Sequence, residues 1–187
     1  MTTPFRIVDL VARSPDVMEQ TARLLYESFR DRSDGWPDLS AARREVAESL
    51  QEGKVSRVVL DAEEGVLGWI GGQPQYEGHV WEVHPLVVAA SHRRRGLGRA
   101  LIEDLEALAA ARGALTLWAG SDDERGETSL SGVDLYADIP GAIRNVNNLK
   151  GHPYEFYLRL GFRIVGVMPD ATGPGKPDIF LAKRIGR

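Results

Sequence analysis

The stretch WEVHPLVVAASHRRRGLGRA, from Trp81 to Ala100, decides the fold of this chain. Val83 and the run 86–88 have the apolar, β-branched character of a buried strand, which Pro85 interrupts. Beyond the glycine-rich turn, apolar residues recur at the 3.6-residue spacing of one helix face. The stretch therefore predicts a strand, a turn and a helix, whose inner face consists of Leu97, Leu101, Leu105 and Leu108.

The turn before this helix has the composition of a phosphate-binding loop. Gly96 and Gly98 let the backbone approach an anion, the first N–H groups of a helix lack an intrahelical acceptor, and the helix dipole favours negative charge there. The spacing Arg93-x-x-Gly96-x-Gly98 is neither the dinucleotide fingerprint G-x-G-x-x-G nor the P-loop G-x-x-x-x-G-K-[ST]. A solvated basic helix start is the alternative for so short a pattern.

The spacing resembles the pyrophosphate loop of the GCN5-related N-acetyltransferases (GNAT), R/Q-x-x-G-x-G/A, which holds coenzyme A. Pro85 has no N–H, so it predicts a bulge or a point where two strands part, and the pantetheine arm would pair with the free backbone nearby. An ordinary edge bulge is the alternative. The cofactor-binding residues implied are Leu86, Val87, Val88, Arg93, Arg94, Arg95, Gly96, Leu97, Gly98, Arg99 and Tyr157.

The composition indicates a single domain over residues 1–187, with 43% hydrophobic and 27% charged residues. No apolar run approaches the ~20 residues of a membrane span, and the N-terminus does not read as a secretion signal, so we expect a cytoplasmic protein with no membrane partner. Cysteine is absent, which removes thiolate metal sites and an acyl-cysteine intermediate. We therefore expect direct acyl transfer. No metal is expected as a cofactor. The net charge of −4 argues against a nucleic-acid partner.

Periodicity and turn residues predict alternating strands and helices along the whole chain. The resemblance implies the α/β (α+β) GNAT fold, a mixed, mostly antiparallel sheet flanked by helices, with parallel central strands splayed at the acetyl-coenzyme A site. Besides the central strand, strands are predicted at 5–11, 55–60, 66–70, 115–119, 162–168 and 178–183, of which 55–60 and 66–70 are expected to form a hairpin. Helices are predicted from Pro15 with Ser14 as N-cap, at 40–52 with Ser40 as N-cap, from the glycine turn to about 112, at 139–149 and from Pro153.

Longer blocks resemble one functional family, the aminoglycoside 6'-N-acetyltransferases. They are WEVHPLVV from Trp81, GSDDE from Gly120, TSLS from Thr128, HPYEFYLRLGF from His152 and VGVMPDATGPGKPDIF from Val165. The resemblance implies acetyl transfer from acetyl-coenzyme A to the 6'-amine of an aminoglycoside antibiotic, conferring resistance, by a protein that is often a homodimer. Many relatives have a cofactor-contacting asparagine where this chain has Lys150, so no cofactor asparagine is assigned.

Three catalytic residues follow from the same resemblance. An amine must be neutral to attack, and Glu82 matches the family's glutamate that would hold the ammonium and pass its proton to water. His84 lies two residues on, on the same strand face, where it would position the thioester or relay a proton. Tyr157 would protonate the leaving thiolate. The plainer alternatives are a solvated glutamate, a packed histidine and a core tyrosine.

Substrate-binding residues are expected on loops and strand ends. Trp36 lies on a polar loop that resembles the family's N-terminal substrate loop, although a tryptophan that only caps the core is the alternative. Tyr76 follows the loosened Gly71-Gly72 segment. Asp122 and Asp123 come just past a predicted strand end, where ligands commonly bind, and with Glu82 would attract a polycation. A solvated acidic turn is the alternative.

Other functions are compatible with the same residues. A GNAT enzyme for polyamines, or for protein N-terminal or lysine amines, would use the same cofactor turn. A non-catalytic acyl-coenzyme A sensor would keep the turn without the chemistry. A nucleic-acid module would use the basic run from His92 to Arg95.

Overall fold

The computed structural model describes residues 5–10, 14–32 and 35–186, and the chain divides into two compact units. The first unit is Met1–Leu115 with Ile185–Arg187, and the second is Thr116–Arg184. Of the first predicted strand, position 11 lies outside the described residues.

The first unit contains an antiparallel meander whose strands follow one another in chain order. The predicted β2–β3 hairpin is confirmed, and the side chain of Asp61 closes it by accepting hydrogen bonds from the N–H groups of Glu63 (3.0 Å) and Gly65 (2.7 Å). The strands are β1 (Arg6–Asp9), β2 (Val55–Leu60), β3 (Val66–Gln75) and β4 (Val80–Val88).

Strand β3 is longer than predicted because Gly71 and Gly72 stay within it instead of loosening the chain. A Cβ at Gly71 would lie 2.2 Å from the carbonyl oxygen of His84, and one at Gly72 would lie 2.4 Å from a methyl group of Leu105. Gly71 therefore permits the close approach of the neighbouring strand β4, and Gly72 permits the close approach of the helix that carries Leu105. The pair marks tight packing and not the end of a strand.

The described residues of the first unit contain the α-helices α1 (Pro15–Phe29), α2 (Leu39–Glu48) and α3 (Leu97–Ala111). Helix α1 begins as predicted, with Ser14 at the N-cap position and proline at the first helical position. The predicted cap of α2, Ser40, is wrong: Asp38 caps it by accepting a 2.7 Å hydrogen bond from the Ala41 N–H. The helices bury Leu25, Val46 and Leu101.

The second unit contains an antiparallel sheet in the order β5 (Thr116–Asp122), β7 (Asp178–Arg184), β6 (Arg163–Met168). Strand β5 runs three residues beyond the predicted end at 119, because Gly120, Ser121 and Asp122 all pair with β7. The two short helices are α4 (Ile139–Arg144), which is shorter than predicted, and α5 (Tyr154–Arg159).

The fold class expected from the sequence is confirmed: α/β, with a mixed sheet that has one parallel pair, is otherwise antiparallel and is flanked by helices. The longest helices have 15 residues, and no helix in the described part of the chain has the length and apolar character needed to cross a bilayer.

Candidate functional site

The arginine-rich turn leads directly into α3. Helical hydrogen bonding begins with the Ala100 N–H, which donates to the Gly96 carbonyl (3.0 Å), so the N–H groups of Leu97, Gly98 and Arg99 precede the hydrogen-bonded ladder. These three N–H groups are suited to an anion at the positive end of the helix dipole. Leu97 is buried, which fixes the start of the helix against the core.

Gly96 has φ +88°, a left-handed conformation that side chains disfavour, and apart from its chain neighbours a Cβ there would meet no atom of the described residues within 4 Å. The space in front of this residue is therefore open to a ligand. Arg93, Arg94, Arg95 and Arg99 are all exposed around the turn. Arg93 also donates from Nε to the carbonyl of Val88 (3.1 Å), which ties the turn to the end of β4.

Strand β4 presents the two predicted catalytic side chains on one face. Trp81, Val83 and Val87 are buried, whereas Glu82 and His84 alternate with them and are partly or largely exposed. The irregularity predicted at Pro85 is a β-bulge: between the pairs Ile70–Leu86 and Gly72–Val83, β4 has two residues where β3 has one. The backbone of the run 86–88 pairs with β3 on one edge.

The carboxylate of Glu82 is oriented by two amides of the neighbouring strand. Gln73 lies directly opposite it in the β3–β4 register and donates from Nε2 to Oε2 at 2.8 Å. Gln75 donates from Nε2 to the same oxygen. Since both amides occupy Oε2, the other oxygen, Oε1, is the one presented to a solute amine.

Trp36, Glu45 and His84 form a second polar group on this face. The indole Nε1 of Trp36 donates to Oε2 of Glu45 (3.3 Å), and Oε1 of Glu45 lies 3.8 Å from Nε2 of His84. The Trp36 ring lies 6.0 Å from the His84 ring, centroid to centroid, and packs edge-on against Phe29 at 5.4 Å. Trp36 is thus half-buried and tied to the strand that carries His84.

Tyr76 is held out from the β3–β4 turn, with 75% of its surface exposed. Tyr76 and Glu77 both have positive φ, at 48° and 57°, and Gly78 follows at 87°. Two successive left-handed residues that are not glycine are strained, and such strain concentrates at functional positions. An exposed aromatic ring on a rigid turn is suited to contact a substrate.

Asp122 and Asp123 occupy different environments. Asp122 is the partly exposed last residue of β5 and lies opposite Asp178 of β7. Asp123 has no exposed surface; its carboxylate accepts hydrogen bonds from the N–H groups of Glu127 (2.6 Å) and Thr128 (2.9 Å) and from the Thr128 hydroxyl (2.7 Å). The expectation that Asp123 lines an acidic rim is therefore wrong, because its oxygens are used to anchor the following loop.

Replacing Asp123 with asparagine should lower the free energy of unfolding by about 2–3 kcal/mol. The NH₂ group of the asparagine would face the buried N–H and O–H groups that now donate to the carboxylate, so at least one of these hydrogen bonds would be lost. Urea unfolding followed by circular dichroism measures this. Glu63→Gln, at an exposed carboxylate, should change the unfolding free energy by less than about 0.5 kcal/mol. A stable Asp123→Asn protein would show that these hydrogen bonds are dispensable.

The ligand atoms of Asp123, Glu127 and His152 lie within 4.8 Å of one another, a spacing that could hold a metal ion. Hydrogen bonds already engage the ligand atoms of two members of this cluster, Asp123 and His152. Nδ1 of His152 accepts from the Tyr154 N–H (3.2 Å), so Nε2 carries the proton and donates to the Asp122 carbonyl (3.0 Å). His152 is thereby engaged at both ring nitrogens as a buried brace.

Tyr157 is the more buried ring of the predicted Phe156-Tyr157 pair, with 8% of its surface exposed. It packs edge-on against the rings of Phe156 (5.2 Å) and Phe162 (5.4 Å). Burial away from water disfavours the phenolate and raises the pKa of Tyr157 to about 12. The phenol therefore keeps its proton throughout the neutral range and is available there as a hydrogen-bond donor.

Three polar residues of the site were not predicted from the sequence. Gln73 and Gln75 alternate along β3, and the β3–β4 register would have pointed to them, but the register depends on a bulge that the sequence does not locate. Glu45 lies on α2 beside the inward-facing Val46, and nothing in the helix periodicity separates it from exposed glutamates such as Glu48.

Comparison with known proteins identifies a family match. The model of the acetyltransferase (GNAT) family matches residues 18–129, which include the arginine-rich turn and β4. Comparison with curated proteins gives no match.

Solved structures similar to this chain include three aminoglycoside acetyltransferases. An aminoglycoside 6'-N-acetyltransferase complexed with coenzyme A is 36% identical, with 96% of this chain and 97% of that chain covered and a TM-score of 0.89. The aminoglycoside 6'-N-acetyltransferase from Enterococcus faecium is 37% identical, with the same coverage and a TM-score of 0.88. An aminoglycoside 6'-acetyltransferase type Ii is 33% identical, with 96% and 97% covered and a TM-score of 0.71.

Proposed function

The chain belongs to the acetyltransferase (GNAT) family, and we propose that it transfers the acetyl group of acetyl-coenzyme A to the 6'-amine of an aminoglycoside. Acetyl transfer follows from the family; the donor and the acceptor are what we propose. The observation that carries the proposal is the Glu82 carboxylate, fixed at Oε2 by two amides and presenting Oε1 to a cationic amine. Similarity over nearly the whole chain to aminoglycoside 6'-N-acetyltransferases supports this acceptor.

The turn and the start of α3 would hold the donor substrate. The N–H groups of Leu97, Gly98 and Arg99 would bind its pyrophosphate, with Arg94 and Arg95 exposed beside it for its remaining phosphate charge. The open space in front of Gly96 fits a group that approaches the backbone closely. One relative was solved with coenzyme A bound, which supports the same use of this turn.

Replacing Gly98 with valine should weaken coenzyme A binding at least tenfold, because a branched side chain would stand where the pyrophosphate approaches the first helical turn. Gly98 is not among the positive-φ residues, so the change adds no left-handed strain and the protein should remain folded. Isothermal titration with coenzyme A, alongside thermal unfolding, measures both effects.

Gly113→Val is the control. Gly113 lies just past the C-terminus of the same helix, at the end away from the turn, and has φ +88°. It should lower stability and leave coenzyme A affinity unchanged. If a folded Gly98→Val protein binds coenzyme A with unchanged affinity, the donor substrate does not bind at this turn.

The chemistry requires a neutral amine. An alkylamine is mostly protonated at neutral pH, so Oε1 of Glu82 would first bind the ammonium and then accept or relay its proton as nitrogen attacks the thioester carbon. The nitrogen–carbon bond forms, the carbon–sulfur bond breaks, and the electron pair of that bond leaves on sulfur. His84, on the same strand face, would orient the reacting groups or relay the released proton.

Tyr157 would stabilise the departing sulfur by a hydrogen bond. Burial raises the pKa of this phenol and so makes it a reluctant donor of its whole proton, whereas a hydrogen bond to the departing sulfur needs no transfer. We therefore revise the general-acid role expected from the sequence. In the proposed role Tyr157 remains protonated, and the sulfur acquires its proton from solvent.

The acceptor substrate would bind through aromatic rings and carboxylates. An aminoglycoside carries several ammonium groups on sugar rings, and sugar faces pack against aromatic side chains such as Trp36 and Tyr76. Glu82 and Asp122 would provide negative charge for its amines. The cytoplasmic location and the homodimer expected from the sequence stay predictions.

A panel of amines with acetyl-coenzyme A tests the proposed function. We expect kcat/KM to be at least 100-fold higher for an aminoglycoside than for a polyamine or for a peptide with free lysine and N-terminal amines. A reversed order would favour the alternative acetyltransferases. Tight coenzyme A binding with no turnover of any amine would favour a sensor.

A further inference from the structure

We infer that Glu45 of α2 is a positioning residue that fixes both Trp36 and His84 for the acceptor reaction. The inference rests on the proposed function for its kinetic consequences, but its geometric basis is independent of the substrate. Neither the resemblance nor the helix periodicity pointed to Glu45. The structure assigns it this role because its two carboxylate oxygens face two different side chains of the site.

The first contact fixes the loop. Oε2 of Glu45 accepts the hydrogen bond from Nε1 of Trp36 at 3.3 Å, and the other edge of the indole rests against Phe29. The hydrogen bond to Glu45 and the packing against Phe29 together hold the half-buried indole of Trp36 in one orientation. Because Asp38 caps α2 just after Trp36, the helix that carries Glu45 and the loop that carries Trp36 form one local structure.

The second contact orients the histidine. Oε1 of Glu45 lies 3.8 Å from Nε2 of His84, too far for a hydrogen bond but within the distance of a contact between charged groups. The Glu45 carboxylate therefore faces this edge of the His84 ring. Glu82, two residues away, lies on the same strand face.

Glu45 therefore acts on the reaction through its neighbours. Trp36 is a proposed contact of the acceptor, so losing its fixed orientation should raise the acceptor KM. His84 is proposed to orient groups or relay a proton, so losing the negative charge that faces its ring should lower kcat. The two contacts predict separate kinetic effects for two substitutions at one position.

Glu45→Gln keeps an oxygen acceptor for the Trp36 N–H and removes the charge that faces His84. We expect kcat to fall about fivefold or more while the aminoglycoside KM stays within twofold of the wild-type value. Glu45→Leu removes both contacts and should also raise that KM about fivefold. Glu48→Gln, at an exposed glutamate one turn further along α2, is the matched control and should change neither constant.

A double-mutant cycle separates positioning from a structural role. In a His84→Gln background, Glu45→Gln should lower kcat by less than twofold, because its effect is transmitted through His84. An equal fall in both backgrounds would overturn the inference. If the wild type acetylates aminoglycosides, a folded Glu45→Gln protein with wild-type kinetics would also overturn the inference.

Nuclear magnetic resonance tests the geometry without any turnover. The indole N–H resonance of Trp36 is identified as the one that disappears in Trp36→Phe. Its chemical shift should change in Glu45→Leu and stay the same in Glu48→Gln. Ring-nitrogen shifts of His84 should differ between the wild type and Glu45→Gln, because the substitution removes the charge that faces Nε2. If these shifts are found but no aminoglycoside is acetylated, the proposed function fails and the role of Glu45 in positioning the two rings stands. Unchanged ring-nitrogen shifts would refute the contact with His84.

Discussion

Glu82→Gln should lower kcat/KM for the aminoglycoside about 100-fold while coenzyme A affinity stays within twofold of the wild-type value. The amide can still accept hydrogen bonds from Gln73 and Gln75, so the strand pair should be retained. It is neutral, however, and neither binds an ammonium as strongly nor takes its proton. Steady-state rates of thiol release at varied acceptor concentration measure the effect.

Glu77→Gln is the matched control, because it removes the same charge from an exposed residue of the same hairpin. It should leave kcat unchanged. If Glu82→Gln turns over normally across the pH range, Glu82 neither binds the amine nor handles its proton, and the mechanism needs another carboxylate.

Tyr157→Phe should lower kcat about 10- to 100-fold, the range expected for losing a hydrogen bond to a developing anion. The ring volume is retained, so packing against Phe156 and Phe162 should remain. Tyr154→Phe, at another buried tyrosine of α5, is the control and should leave kcat near the wild-type value. A normal kcat in Tyr157→Phe, measured where chemistry limits turnover, would leave Tyr157 as a core residue.

The raised pKa of Tyr157 also predicts how stability changes with pH. Below pH 10 the phenol is protonated in the folded and unfolded states alike; between pH 10 and 12 only the unfolded state loses the proton, so stability falls as pH rises. From pH 9 to pH 11 the wild type should lose about 1 kcal/mol of unfolding free energy more than Tyr157→Phe. Equal losses in urea unfolding would contradict the burial of this phenol.

The sequence predicted most elements because local signals and tertiary structure agree in this chain. Pro15 and Ser14 mark the start of α1, and the glycine turn before α3 lies where its pattern placed it. The signals failed where a tertiary contact overrode them. Gly71 and Gly72 read as a break, but they remain in β3 because neighbouring atoms leave no room for a Cβ.

The site was predictable only where a residue's role follows from its own strand. Glu82 and His84 share a face of β4 by alternation, which the sequence shows directly. Neighbouring sequence does not reveal burial: Asp122 and Asp123 are adjacent and chemically identical, yet Asp122 is partly exposed, whereas Asp123 is fully buried and accepts three hydrogen bonds. Glu45 acquires its role from a loop and a strand that the fold brings to α2, so no pattern within α2 reveals it.

The most direct test of the proposed function compares two aminoglycosides that differ only in carrying an amine or a hydroxyl group at the 6' position, each supplied with acetyl-coenzyme A. We predict rapid release of coenzyme A with the 6'-amine, a product whose acetyl group is located on the 6' nitrogen by nuclear magnetic resonance, and a rate at least 100-fold lower with the 6'-hydroxyl compound. Equal rates with the two compounds, or an acetyl group on any other amine, would contradict the proposed function.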